Sequence, residues 1–564
     1  MKKLLVLIPV AVSLASLLFA QGRGAAPARE APVKDVPYAR ILNAKQEPEN
    51  WLTHHGGYMS QRHSQLKQIT PLNAKDLELK WVYQSKSIEK HETTPLVVDG
   101  VMYAMQAPND IVALDAATGG ILWTFAYKNA PEARNPCCGN VSRGLGILNG
   151  NLYMATIDAA LVAINARTGK QVWKVQVGDY KQQYSMTHAP LAIKDKIIVG
   201  VAGGEKGIRG YIRAYDAATG KEVWNFNTVP GPGEPGAESW SGDSYLHGGA
   251  PIWVTGSYDP DTNLTFWGTG NPGPDWDGRG RLGDNLYSCS VIALDVDTGK
   301  LSWHYQFNPH NEYDWDATQV PVLANMNYGG AQRKLMLWAN RNGVFYALDR
   351  TNGQFLRGKS FVKTNWYTSF DEKGRPIFAP ETLSKKEGSL VYPGNQGGTN
   401  FYNPSFSPVT EYFYIPAWEN TSQTYILGEE IPEFHEGQGF AGPFPRAGKA
   451  GEDVFSSVVA MNVKTGERAW TYRLAAPQTE GGLLTTASNV LFGGARDGQF
   501  FALDAKTGKL LWDTHLGAII SAGPVTYSVA GKQYVTIQAG SVVATFALRS
   551  APAPQKSQTK SAAK

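Results

Sequence analysis

One eleven-residue pattern, Ala-x-Asp/Asn-x-x-Thr-Gly-x-x-x-Trp, recurs along this chain and restricts the folds open to it more than any other feature. It reads ALDAATGGILW at 113–123, AINARTGKQVW at 163–173 and AYDAATGKEVW at 214–224. It returns as ALDVDTGKLSW at 293–303, AMNVKTGERAW at 460–470 and ALDAKTGKLLW at 502–512. A weaker copy, ALDRTNGQFL at 347–356, carries Leu356 in the tryptophan position and brings the copies to seven. The residues before each Asp or Asn close one strand, and that side chain bonds back to the backbone to start a turn. The glycine supplies the positive φ that the turn demands. A second strand follows, and its tryptophan faces a neighbouring sheet. Each copy is preceded by another apolar run, such as VVDGVMYAM (97–105) or ILNGNLYMAT (147–156). The unit is a small antiparallel sheet that cannot bury its faces alone, and stacking such sheets radially gives a β-propeller.

The segment LELKWVY (77–83) reads as an orphan outer strand that completes a ring begun at the other terminus. With the seven copies it predicts an all-β, eight-bladed β-propeller spanning 45–548; separate β domains in tandem are the alternative. Sixty glycines, 33 prolines, 16 tryptophans and 26 tyrosines, with only 18% charged residues, suit turns and large packing residues in an all-β chain. Spacing is uneven: Trp81 to Trp123 is 42 residues, whereas Trp224 to Trp303 is 79 and Leu356 to Trp470 is 114. The excess falls in 228–250 and 360–455, and long loops on one face of a rigid ring build a binding surface.

Residues 1–20 pair Lys2 and Lys3 with an apolar run from Leu4 to Phe19, which reads as a secretory signal peptide. An uncleaved membrane anchor is the other reading, and no later apolar run is long enough to span a bilayer. The mature chain is therefore expected in an oxidising periplasm, with an N-terminal extension at 21–44 and a disordered tail at 549–564. The net charge of +4 sits at the ends. Setting aside Lys2, Lys3, Arg549, Lys556, Lys560 and Lys564 leaves 47 basic against 49 acidic residues, which excludes nucleic acid as a partner.

Four segments carry chemistry. Cys137 and Cys138 are adjacent in NPCCGNVSRGLG. An ordinary bridge prefers Cα atoms about 5.5 Å apart, so a bond here closes a strained ring of the kind found at functional sites; two free thiols are the alternative. Cys289 is expected to be buried and inert. In NPHNEYDWDATQVPV (308–322), Asp314 and Asp316 stand two apart and on a strand share a face. Two crowded carboxylates raise each other's pKa unless a cation lies between them, and a hard metal ion with oxygen ligands resolves the conflict. A solvated acidic loop is the alternative. Glu205 in VAGGEKGIRG and Asn271 in WGTGNPGP are further oxygen ligands in glycine-rich turns.

In this order, CCGNVSRG, MTHAPL (186–191), GTGNPGP and the acidic cluster resemble the methanol/ethanol dehydrogenase family of quinoproteins, which bind pyrroloquinoline quinone (PQQ). The resemblance runs from about residue 45 to 548. It implies that Cys137 and Cys138 form a vicinal disulfide against one face of the quinone, with Trp253 stacked on the other. It further implies that Arg143 pairs with a cofactor carboxylate, and that Glu92, Thr187, Gly203, Gly204 and Asn400 are further cofactor contacts. Arg341 is implied to bond the reactive carbonyls. Glu205, Asn271 and Asp314 match metal ligands, and Asp314 also matches the catalytic base.

In the calcium members, the position two after the catalytic Asp is small and neutral; here Asp316 resembles the lanthanide-dependent members. A lanthanide(III) is therefore favoured, with Ca²⁺ the alternative. The implied reaction oxidises primary alcohols to aldehydes and passes electrons to a periplasmic cytochrome c, because no Cys-x-x-Cys-His is present for a haem of the chain's own. Sugar or polyol oxidation and a noncatalytic envelope-assembly scaffold are the other readings, and a homodimer is an open arrangement. Three departures from the family pattern stand out: Ala202 in place of Ser, Pro251 in place of Thr, and no Gly- and Trp-rich segment after AGSVVATFAL (539–548). Substrate size is consequently not carried over.

Overall fold

Each repeat folds as its turn chemistry dictates. In the first copy, Asp115 Oδ1 accepts hydrogen bonds from the backbone N–H groups of Ala117 (3.0 Å) and Thr118 (2.9 Å) and from Thr118 Oγ1 (2.9 Å). Gly119 follows at φ +74° and donates its N–H to the Asp115 carbonyl at 2.8 Å. This computed structural model describes residues 29–133 and 136–549. The expected signal segment and the tail from 550 onward lie outside the described residues.

The strands assemble into eight principal antiparallel sheets. The first blade comprises Leu96–Val98, Val101–Gln106, Asp110–Asp115 and Ile121–Phe125, and six more follow in sequence. The short strand His63–Ser64 adds in parallel to the sheet that begins at Leu483–Thr486. The eighth blade draws on both ends of the described chain. Leu77–Gln84 pairs antiparallel with Val542–Leu548, outside Lys532–Ala539 and Val525–Val529. This is the ring closure that LELKWVY predicts.

The tryptophans lock neighbouring blades. Trp81 Nε1 donates to the Ala116 carbonyl of the next blade, and the indole lies over Gly119, where an added Cβ would come within 2.7 Å of the ring. The same dock recurs for Trp123 on Gly169, Trp173 on Gly220, Trp224 on Gly299, Trp303 on Gly353 and Trp470 on Gly508. The weak copy shows what replaces a missing tryptophan. Arg357, beside Leu356, spans the seam and donates to the carbonyls of Thr465 (2.7 Å) and Lys464 (3.2 Å). Gly220→Val should lower stability by about 2–3 kcal/mol, because φ is +72° there and a Cβ would sit 2.9 Å from Trp173. Gly233→Val is the control in chemical denaturation, since φ is +84° but no atom lies within 4 Å. Equal losses would show that the seam contributes nothing beyond backbone strain.

The window 360–455 is not all insertion: Ser405–Ser407 and Tyr412–Glu419 in it are the inner strands of the sixth blade. The remainder forms a hairpin, Tyr367–Phe370 with Pro376–Phe378, and a small sheet of Ser389–Val391, Gln423–Tyr425 and Arg446–Ala447. This excursion meets the 228–250 insertion, where Phe434 stacks on His247 with centroids 3.5 Å apart.

Candidate active site

Arg341 gathers the acidic residues. It follows the strand Ala331–Ala339, and its backbone N–H points to Gln319 Oε1 at 3.3 Å. Its Nη1 lies 2.6 Å from Asp316 Oδ2 and its Nη2 lies 3.2 Å from Asp314 Oδ2, while Nε donates to the Asn395 carbonyl at 2.6 Å. Asp314 and Asp316 do reach the same group, but not from a strand. Residues 311–318 are irregular, and Asp314 has φ +57°. Trp315 between them is fully buried and donates to the Gly394 carbonyl at 3.0 Å, which anchors the turn.

Asp316 Oδ1 also accepts the backbone N–H of Asn271 at 2.9 Å. Glu205 Oε1 accepts the backbone N–H of Cys137 at 3.2 Å, and the Glu205 carbonyl accepts the N–H of Phe440 at 2.8 Å. The acidic cluster therefore touches both the cysteine turn and the large excursion. Cys137 and Cys138 are joined in a disulfide and are exposed, whereas Cys289 is buried and free. Burial raises the Cys289 thiol well above its usual pKa, in keeping with an inert role.

Electrostatics mark the cluster as short of positive charge. Burial pushes the Asp314 carboxyl up to about 7, with Asp316 and Glu205 adding to the rise and Arg341 opposing it. Burial also raises Glu205. Asp275 is raised well above the usual range by burial and by Asp314, Glu205 and Asp316. Among the described residues, no three His, Cys, Asp or Glu side chains already converge in a metal-ligating arrangement, because Asp316 is turned to Arg341 and to the Asn271 N–H. The donor set nevertheless fits a hard cation: carboxylate and amide oxygens predominate, and one guanidinium pairs with both Asp314 and Asp316.

A second group of residues lies around Arg143. Its Nη2 is 2.6 Å from Glu92 Oε2, and its Nη1 donates to Thr187 Oγ1 (2.8 Å) and to the Trp253 carbonyl (3.2 Å). The guanidinium sits 4.8 Å from the Trp253 ring centroid and 4.6 Å from that of Phe401. Its Nε is buried without a partner among the described residues. A buried orphan donor beside a half-buried indole suits a flat ligand carrying carboxylates, so these residues fit PQQ. Asn400 Oδ1 accepts the N–H of Phe401 at 2.9 Å. Gly203 and Gly204 have reasons within the protein itself. An added Cβ would lie 2.6 Å from the Gln183 carbonyl oxygen in the first case and 2.9 Å from Pro251 in the second.

Four residues of this region escape sequence reasoning. Lys90 bridges Glu92 (3.0 Å) and Glu480 (2.5 Å), Phe401 packs on Arg143, and Asp275 accepts from Asn271 Nδ2 at 2.8 Å. Asp275 had a signal, since it stands four residues after Asn271 in NPGPD. Lys90, Glu480 and Phe401 come from distant blades and carry no local signature.

Residues 51–358 and 473–535 match the family described as PQQ: Glucose/ethanol/alcohol dehydrogenase, beta-propeller domain. The chain is 38% identical over 529 residues to quinohemoprotein alcohol dehydrogenase ADH IIB of Pseudomonas putida, covering 90% of this chain and 75% of that protein. It is 37% identical over 524 residues to the 1-butanol dehydrogenase (cytochrome c) of Thauera butanivorans, covering 87% and 74%. A solved europium-containing methanol dehydrogenase superposes with a TM-score of 0.85 at 30% identity, covering 90% of this chain and 100% of that one. These matches set aside the noncatalytic scaffold. A propeller whose matched family binds PQQ, and whose clustered side chains fit that cofactor and a hard cation, belongs to the PQQ-dependent alcohol dehydrogenases, oxidoreductases acting on CH–OH groups.

Proposed function

We propose that this chain oxidises primary alcohols to aldehydes in the periplasm, with a lanthanide ion in the acidic cluster and a cytochrome c as electron acceptor. The observation that carries the reading is the acidic cluster in which Arg341 pairs with both Asp314 and Asp316, while Glu205 and Asp275 lie within electrostatic reach of Asp314. When bound, PQQ supplies the two-electron acceptor for the alcohol's hydride, and the metal ion supplies a Lewis acid.

The protein's own groups do the rest. Glu205, Asn271, Asp314 and Asp316 would hold the ion through oxygen. Asp314 takes the hydroxyl proton of the alcohol on a carboxylate oxygen. Arg341 is placed to stabilise negative charge beside Asp314. Trp253 and the Cys137–Cys138 bridge would bind the cofactor together with Arg143, Glu92, Thr187, Gly203, Gly204 and Asn400. A trivalent ion is favoured because Asp316 adds a third carboxylate to a site already holding Glu205 and Asp314.

Support for the compartment comes from the signal-like 1–20 segment and from a disulfide suited to oxidising surroundings. No helix of the described residues is long and apolar enough to cross a membrane. The acceptor is supported by the name of the butanol-oxidising relative.

The test is reconstitution with PQQ and either La³⁺ or Ca²⁺, followed by dye reduction with a panel of alcohols and sugars. Primary alcohols with La³⁺ should give the highest turnover. Turnover with Ca²⁺ and none with La³⁺ would overturn the metal assignment, and a preference for sugars would overturn the substrate class.

A further inference from the structure

In six of the seven repeat copies, the residue after the turn Asp or Asn is a buried alanine or valine: Ala116, Ala166, Ala217, Val296, Val463 and Ala505. In the weak copy it is Arg350, which is 1% exposed. A guanidinium is a costly occupant of a position that one or two methyl groups fill elsewhere. Its Nε lies 2.8 Å from Asp259 Oδ2, and its Nη1 donates to the Ala324 carbonyl at 3.1 Å. Its Nη2 makes no hydrogen bond among the described residues. Arg350 shares the wall of a cavity of about 340 Å³ with Lys45, Arg62 and His63. We propose that this cavity binds a small organic oxyanion, a carboxylate or a phosphate monoester, at a site separate from that of the alcohol. The strand Val344–Asp349 has Arg341 before one end and Arg350 after the other, and Leu264–Gly268 likewise separates Asp259 from Asn271. Six residues of strand span about 20 Å, so the cavity lies at the opposite end of the blades from the acidic cluster.

The cations of this wall outnumber the carboxylates free to answer them. Asp259 is held by Arg350, and its Oδ1 accepts the Asp261 N–H at 3.2 Å. The Asp261 carboxylate is exposed and pairs with Lys334 at 2.8 Å. Arg62 is fully buried, donates to the carbonyls of Leu483, His54 and Pro524, and forms no ion pair among the described residues. Lys45, exposed on the cavity wall, forms no ion pair among them either. Burial lowers its proton affinity, and Arg350 lowers it further. His63 Nδ1 faces Thr485 Oγ1 at 2.9 Å, which leaves its buried Nε2 without a partner among the described residues. An oxyanion relieves such a set. It accepts charge-assisted hydrogen bonds from Lys45 Nζ and Arg350 Nη2 and supplies the negative charge that Arg62 lacks. Ile41, Tyr58 and Met59 line the same cavity, so a short hydrocarbon body behind the charged head fits it better than a bare inorganic ion.

The experiment titrates hexanoate, hexyl phosphate, inorganic phosphate and hexylammonium into the full chain reconstituted with PQQ and metal, followed by calorimetry. Wild type is compared with Lys45→Met and Lys45→Arg. Lys45 is exposed and stands outside the alcohol site, so both variants should fold, as circular dichroism checks, and should keep the wild-type dye-linked turnover. Hexanoate or hexyl phosphate should bind wild type at one site, and the tighter of the two identifies the head group. Its Kd should rise at least about tenfold in Lys45→Met and return toward the wild-type value in Lys45→Arg. Hexylammonium should not bind. Failure of both organic anions to bind wild type would overturn the proposal. So would a Kd unchanged in Lys45→Met, which would place the binding elsewhere. Inorganic phosphate binding as tightly as hexyl phosphate would overturn the organic class of the ligand.

Discussion

Arg341→Met is expected to lower the stability of the metal-free protein by about 3–5 kcal/mol, the cost of leaving buried carboxylates without their cation. Arg341 is 4% exposed and faces both Asp314 and Asp316, and nothing else cationic bonds to either one among the described residues. The sign of the pH effect follows. Burial already holds the Asp314 carboxyl at about 7, above its unfolded value. A folded state that binds the proton more tightly than the unfolded state loses stability as pH rises from about 4 toward 7. Removing the guanidinium raises that affinity further, so the variant's deficit should grow with pH and shrink near pH 5. La³⁺ should restore much of the stability by replacing the missing charge. Dye-linked turnover should stay at least about 10²-fold down, because an ion cannot reproduce the directed N–H groups of Arg341. Urea titrations at pH 5.5 and 8, with and without La³⁺, check the first part. A deficit independent of pH and of metal would show that Arg341 matters through packing rather than charge.

The second large effect is acid lability. His54, His55 and His188 are all buried, and the described structure offers them cations rather than carboxylates. The His54 and His55 rings meet edge to face at 4.5 Å, and His55 Nε2 lies 3.3 Å from the Thr255 carbonyl. His188 Nε2 faces the Gly200 N–H at 3.3 Å and its ring lies edge-on to Trp267. Burial pushes His55 and His188 down to about 3 and His54 well below its usual value, with Arg62 and Arg143 adding to the fall. Arg62 is itself fully buried, and its guanidinium is spent on the carbonyls of Leu483, His54 and Pro524. The unfolded chain takes up these protons near pH 6.5, whereas in the folded chain His55 and His188 take them up only near 3 and His54 only well below its usual range, so stability is full above pH 6.5 and drains as pH falls. Three such groups give a slope approaching about 4 kcal/mol per pH unit. The raised carboxylates work in the opposite direction in metal-free protein, so the clean measurement is the melting temperature of metal-loaded protein from pH 7 to 4. His188→Gln should flatten the curve, and a curve unchanged by that substitution would remove the histidines as its cause.

The sequence makes the ring legible because each blade announces itself through its own turn. Asp115 and Gly119 perform their roles within five residues, and the Trp dock is the only long-range partner that the pattern needs. The eighth blade was readable by elimination, from Trp81 standing outside any copy. The 360–455 window was harder, because strands and excursion share the same aromatic and Pro-rich composition. The site divides the same way. The adjacent cysteines and the Asp-Trp-Asp triplet are local signals, and they meet the acidic cluster through Glu205 and Arg341 respectively. The irregular backbone at Asp314 is not local, since it depends on Trp315 finding Gly394. Nor is the Lys90–Glu480 contact, which no spacing rule connects across 390 positions.

The shared eighth blade has a consequence for the order of events in the cell. Gln84 and Ser541, 457 positions apart, meet across its outer edge. At ordinary elongation speeds roughly 20–90 s separate the synthesis of these two residues. Until Val542–Leu548 is made, the strand Leu77–Gln84 lacks its partner in the eighth sheet, and the seven sheets encoded between them can close only an arc rather than a circle. An arc can still be drawn out and threaded, whereas the closed ring has no free end from which to unravel.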